Sequence, residues 1–109
     1  MNAWVDVGAL ADLKFAPGAP VKIGNHWLAL FWLGERLVAI DNACPHASAP
    51  LCDGRVHDGK VVCYLHCWEF DLATGACDVG EQWNVRSYAV RTVDGRVQVD
   101  WPGPPREDA

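Results

Sequence analysis

The chain has 109 residues and a formal net charge of −5, which is enough length for one small domain with a modest core. The acidic balance argues against nucleic-acid binding, which selects basic patches. The longest apolar run, Trp27 to Leu33, falls far short of the roughly 20 residues that a membrane helix needs. The start MNAWVDVG lacks the basic segment and apolar core of a signal peptide. A cytoplasmic protein without a membrane anchor is expected.

Taken in chain order, the pattern predicts an all-β fold. Only Ala9 to Leu13 reads as helical, for one turn at most. Val21–Ile23 and His26–Trp32 read as strands joined by Gly24-Asn25, a two-residue hairpin signal. Leu33-Gly34-Glu35-Arg36 turns into a strand over Leu37–Ile40. Asp58-Gly59 precedes another strand over Lys60–Val62. Ser87–Thr92 and Val97–Val99 flank Asp94-Gly95, a further hairpin marker. Short strands with turn signals at roughly 8–12-residue spacing point to an antiparallel sandwich or barrel. The Pro-rich tail, 102–109, cannot join a ladder and is expected to be disordered.

Four residues carry the chemistry. Cys44 and His46 stand in CPH, Cys63 and His66 in CYLH, each pair in a loop that follows an apolar strand. Two thiolates and two imidazoles suit a metal centre with one sulfur-rich and one nitrogen-rich side. That asymmetry belongs to 2Fe–2S centres in which two His replace two Cys on one iron. A structural zinc site, holding an interaction module without a redox role, also accepts mixed Cys and His. Zinc modules usually group Cys with Cys and His with His, whereas each pair here mixes them. The plant-type Cys-x4-Cys-x2-Cys spacing finds no fit. Cys52, Cys67 and Cys77 are left over and read as small buried hydrophobes. His26 and His57, in or near turns, read as ordinary surface histidines.

The flanking residues sharpen this. AIDNACPHASAPLCDG followed by VVCYLHCWEFDLATG resembles the two cluster-binding boxes of the Rieske family, including the Phe-Asp-x-x-Thr-Gly exit. The resemblance runs from Trp4 to Val99 and is most specific between Ile40 and Gly75. It implies a single domain over 1–101, with an antiparallel β base and a small cluster-binding subdomain of two loops at about 41–75. It implies one 2Fe–2S cluster, with Cys44 and Cys63 on one iron and His46 and His66 on the other. Trp68, beside His66, is then expected to shield it.

By the same resemblance, the protein is an electron-transfer component rather than a catalyst alone. The length leaves no room for the mononuclear-iron domain of large oxygenases, and no nucleophile–base pair is readable beside the motif. One small member of the family is the ferredoxin that passes electrons from a flavin-dependent reductase to a terminal oxygenase. Another is the small subunit of an NAD(P)H nitrite reductase, which works with its large subunit. The acidic charge is compatible with docking on a basic partner surface. Three departures stand out. Cys67 occupies a position where the family leads one to expect Gly. The segment Cys77-Asp78-Val79-Gly80-Glu81 lacks the Pro that many members pack over the cluster. Finally, Ala49, Leu65, Trp68 and Phe70 stand where respiratory-type members carry two disulfide cysteines, a Ser and a Tyr, which implies a low reduction potential.

Overall fold

The computed structural model describes residues 3–45, 49–65 and 67–103. Among these residues ten strands run in chain order: β1 (Ala3–Ala9), β2 (Ala19–Ile23), β3 (His26–Leu33), β4 (Arg36–Asp41), β5 (Arg55–His57), β6 (Lys60–Val62), β7 (Glu69–Asp71), β8 (Ser87–Tyr88), β9 (Val90–Val93) and β10 (Arg96–Trp101). They form three sheets, ordered β1-β10-β9, β2-β3-β4-β8 and β5-β6-β7. Every strand pairing is antiparallel.

The central sheet separates two apolar cores, and the period of two along its strands explains how. Leu28 and Leu30 of β3, with Leu37 and Ala39 of β4, join Val97 and Val99 of β10 in one cluster. The intervening Ala29, Phe31, Val38 and Ile40 join Val61, Phe70, Leu72 and four cysteines, Cys44, Cys52, Cys63 and Cys77, in the other. Successive side chains on a strand point to opposite faces, so a strand covered on both faces reads as a continuous apolar run. Leu28 to Phe31, the middle of the Trp27–Leu33 run, is buried on both faces, while Trp27 and Trp32 towards its ends are exposed. Among the described residues, no helix is long and apolar enough to cross a membrane.

The expected hairpins form. Ile23 pairs with His26, Leu33 with Arg36 and Val93 with Arg96, and a further hairpin pairs His57 with Lys60, each across two residues. Asp58-Gly59 and Asp94-Gly95 both take positive φ at each position, the signature of type I′ turns. The predicted helical turn is a 3-10 turn over Leu10–Asp12.

Three differences have physical causes. The single strand expected over Ser87–Thr92 is two strands in different sheets. Tyr88 pairs with Ala39 in the central sheet, and Val90 with Val99 in the outer one. The inward side chains Tyr88 and Val90 both face the β10-side core, so the alternation continues through the change of sheet and gives no sign of it. β1 was not expected, because it is half exposed and carries a register shift between Asp6 and Gly8. β5 and β7 have three residues each, too few for a periodic signal. In the tail, the Gly103 carbonyl accepts a 3.0 Å bond from the Arg86 guanidinium, and residues 104–109 lie outside the described residues.

Candidate metal centre

The first loop begins where β4 is clamped. The Asp41 N–H donates to the Arg86 carbonyl at 3.0 Å. Its carboxylate accepts from the Arg86 N–H at 2.9 Å and from the Tyr88 hydroxyl at 2.5 Å. Asn42, the one buried polar side chain of the described core, then ties the two ends of the loop together. Its carbonyl accepts from the Leu51 N–H at 2.6 Å, and its side-chain oxygen from the Cys52 N–H at 2.9 Å. Ala43 bridges Pro50, and the Cys44 N–H donates to the Ala49 carbonyl at 2.9 Å.

The second loop repeats the closure. It leaves β6, and the Cys63 N–H donates to the Trp68 carbonyl at 2.8 Å. In both loops a cysteine is thus hydrogen-bonded to the residue five places on, and the loop between is open to solvent at its described positions. Cys44 is 0% exposed and Cys63 1%, while Tyr64 and Leu65 are 55% and 54% exposed. Pro45 and Cys67, which flank the two histidine positions, are exposed as well.

Cys67 has φ +59 and donates its N–H to the Cys63 carbonyl at 2.8 Å. A left-handed φ favours glycine, which gives a physical reason for the Gly expected there. The expectation that Cys67 is a small buried hydrophobe fails, because the loop turns its side chain outward. Cys52 and Cys77 are buried thiols, as expected. Burial, with the neighbouring Asp53 carboxylate, pushes the Cys52 thiol up from its ordinary range.

The Phe-Asp-x-x-Thr-Gly exit is a turn built from its own side chains. Asp71 Oδ1 accepts from the N–H groups of Ala73 and Thr74 at 2.8 and 3.0 Å, and Thr74 Oγ1 accepts from the Ala76 N–H at 3.2 Å. Gly75, at φ +81, passes so close to Val85 that a Cβ would lie 2.1 Å from its carbonyl oxygen. The segment after the exit, which the sequence left undefined, is pinned at both ends. The Cys77 N–H donates to Asn84 Oδ1 at 2.8 Å, and the Val85 N–H to the Gly75 carbonyl at 2.9 Å. Between them, a 3-10 turn over Glu81–Trp83 sets the Trp83 ring against Trp68, with centroids 5.3 Å apart.

Cys44 and Cys63 are therefore brought into one apolar cluster, together with Cys52 and Cys77. His46 and His66 lie outside the described residues. Among the described residues, no group of three or more His, Cys, Asp and Glu side chains converges. The donor set nonetheless fits a thiolate-bound metal group. Cysteine sulfurs are soft donors that bind metals as thiolates, and the two similar loops present one buried sulfur each. His26 lies against the Trp101 ring at 5.6 Å. His57 sits 3.5 Å from the Glu69 carboxylate. Two clefts of about 290 and 330 Å³ lie on the base, around Trp32 and Arg91 and around Val38 and Ser87, rather than at these loops.

Charge is unevenly placed. Between Asn42 and Val85 stand six acidic residues (Asp53, Asp58, Glu69, Asp71, Asp78 and Glu81) against the two basic Arg55 and Lys60, whereas the rest of residues 1–103 balance, six against six.

Comparison with known proteins agrees with this geometry. The family model for the Rieske [2Fe-2S] domain matches residues 3–89. The anthranilate 1,2-dioxygenase ferredoxin subunit of Burkholderia cepacia is 36% identical over 100 residues, covering 89% of this chain and 91% of that protein. The ferredoxin of carbazole 1,9a-dioxygenase from Nocardioides aromaticivorans superposes with a TM-score of 0.77 at 29% identity, over 90% of this chain and 97% of that one. A Mycobacterium tuberculosis protein assigned as the small subunit of an NADH-dependent nitrite reductase superposes with a TM-score of 0.81 at 25% identity, over 95% and 99%.

Proposed function

The chain belongs to the Rieske [2Fe-2S] domain family, and on that premise we propose that it is the ferredoxin of an oxygenase system, carrying single electrons from a flavin-dependent reductase to a terminal oxygenase. The observation that carries this is the near end-to-end match to a dioxygenase ferredoxin subunit, joined to the twin loop closures that bury Cys44 and Cys63 in one apolar cluster. Cys44 and Cys63 would hold one iron, and His46 and His66 the other. The bound cluster would take up and release one electron at a time.

The chain's own residues supply the rest. The closures at Ala49 and Trp68 fix the two cysteine backbones, and the surrounding aliphatic and aromatic side chains keep water from the sulfurs. The exposed loop segments leave a short path to a partner. A carrier working between two such enzymes suits the cytoplasm. The test is iron, acid-labile sulfide and zinc analysis of the purified protein, with EPR of the reduced form. About two irons and two sulfides per chain are expected, and a His66→Cys change should alter or abolish the signal. Colourless protein with stoichiometric zinc and no sulfide would overturn the reading.

The full-length likeness in fold to a nitrite reductase small subunit favours a second reading, in which the same carrier serves the large subunit of an NAD(P)H nitrite reductase. Transfer assays with an oxygenase and with a sirohaem reductase separate the two.

A further inference from the structure

The segment after the Asp71–Gly75 exit has no proline between Cys77 and Glu81, yet the structure fills the space beside the loops with an aromatic side chain. Trp83 is half-buried and packs against the apolar cluster that contains Cys44, Cys63 and Cys77. Its ring meets Trp68 at 5.3 Å and 59°, a tilted contact of the kind aromatic pairs prefer. Trp68 is the residue whose carbonyl closes the second loop onto the Cys63 N–H. Trp83 itself has little freedom to move away. The Cys77–Asn84 and Gly75–Val85 bonds hold the backbone on both sides of it, and its own N–H donates to the Gly80 carbonyl at 3.0 Å.

We propose that Trp83 is a positioning and shielding residue, which holds Trp68 in place over the second loop and keeps water from the sulfur side of the cluster site. This rests on the Rieske reading above. The ring takes the place of the missing proline with a larger apolar surface, held by packing against Trp68 and by the bonds around its backbone. Water beside the sulfurs would stabilise the more negative, reduced state and would also admit chelator and oxygen. Removing the ring therefore raises the reduction potential and shortens the life of the cluster.

The experiment compares holo wild type with Trp83→Ser and Trp83→Phe, using midpoint potential, bleaching of visible absorbance under excess chelator in air, and urea midpoint. Trp83→Ser is expected to shift the potential upward and to bleach severalfold faster, and Trp83→Phe to restore most of both. Unchanged potential and bleaching in Trp83→Ser overturn the proposal. So does a loss of stability without a shift in potential, since that is a purely structural role. Should the serine variant fail to fold, Trp83→Leu is expected to fall between wild type and that prediction, and wild-type values in it overturn the proposal. A wild type that binds no iron or sulfide overturns the Rieske reading itself, and is told apart because it appears before any substitution.

Discussion

The N–H of Cys63 donates to the carbonyl of Trp68 across 2.8 Å, and Cys44 makes the same five-residue closure with Ala49 at 2.9 Å. A backbone bond at the neck of each loop fixes where the cysteine Cα sits, whatever the rest of the loop does. Cys44 thereby sits beside the Ala43–Pro50 bridge, and Cys63 directly after β6.

Cys44, Cys63 and Cys77, three cysteines of one apolar cluster, should then separate by role. Cys44→Ser or Cys63→Ser is expected to abolish the visible spectrum. Cys77→Ala, a packing change in the same cluster, should leave the spectrum in place and cost about 1 kcal/mol of stability. Absorbance per chain and urea midpoints of the three variants check this.

Asp41 and Tyr88 give a pH dependence. Burial, then the hydrogen bond to Asp41, pushes the Tyr88 phenol well above its ordinary range. The folded state therefore favours the neutral phenol. Its contribution to stability is whole below the ordinary tyrosine pKa of about 10 and is lost as pH climbs above it. Tyr88→Phe should cost about 1 kcal/mol near neutrality and should flatten the alkaline fall of the urea midpoint relative to wild type. Parallel falls in the two proteins would mean that another group governs it.

The uneven charge predicts how the protein meets its partner. The excess of carboxylates lies between Asn42 and Val85, the stretch that holds the two cysteine loops, so an attractive basic surface would turn that end forward. Electron transfer to the acceptor should slow as salt rises to a few tenths molar, where the Debye length falls well below 10 Å. Asp78→Asn with Glu81→Gln should reduce the salt dependence more than Glu35→Gln with Asp94→Asn. Rates that ignore ionic strength would leave apolar contact around Tyr64 and Leu65 as the better account.

Much of this was legible in the sequence where the signal was local. The two-residue turns, the buried run of β3 and the paired Cys–His loops all declare themselves within a few residues. What was hidden depends on long-range contacts. The Asp41–Arg86 clamp joins residues 45 positions apart, and nothing near Asp41 announces its partner. The break at Ala89 is invisible because the alternation runs through it. The outward turn of Cys67 follows from a φ of +59, which composition could not reveal. Nothing near Trp83 in the sequence marks it, and its contact with Trp68 emerges only from the folded path of the segment after Gly75.

The remaining prediction concerns the potential. Hydrogen bonds to cluster sulfurs stabilise the more negative, reduced state, so a site poor in such donors should have a low potential. Phe70, where a respiratory-type member would carry a donating tyrosine, is fully buried in the apolar cluster and has no hydroxyl to give. Trp68 stands at the serine position and packs its ring against Trp83. Ala49 and Leu65, at the positions of the linking disulfide, have no sulfur, and the Leu65 side chain is more than half exposed. The midpoint is therefore expected near the bottom of the roughly −150 to +300 mV range of such centres, within reach of a nicotinamide-linked reductase and unsuited to quinol oxidation. Protein-film voltammetry near neutral pH measures it directly. Phe70→Tyr, which adds a hydroxyl at the matching position, should raise it. A wild-type midpoint well above about +100 mV would mean that other donors reach the sulfurs, and the ferredoxin reading would weaken with it.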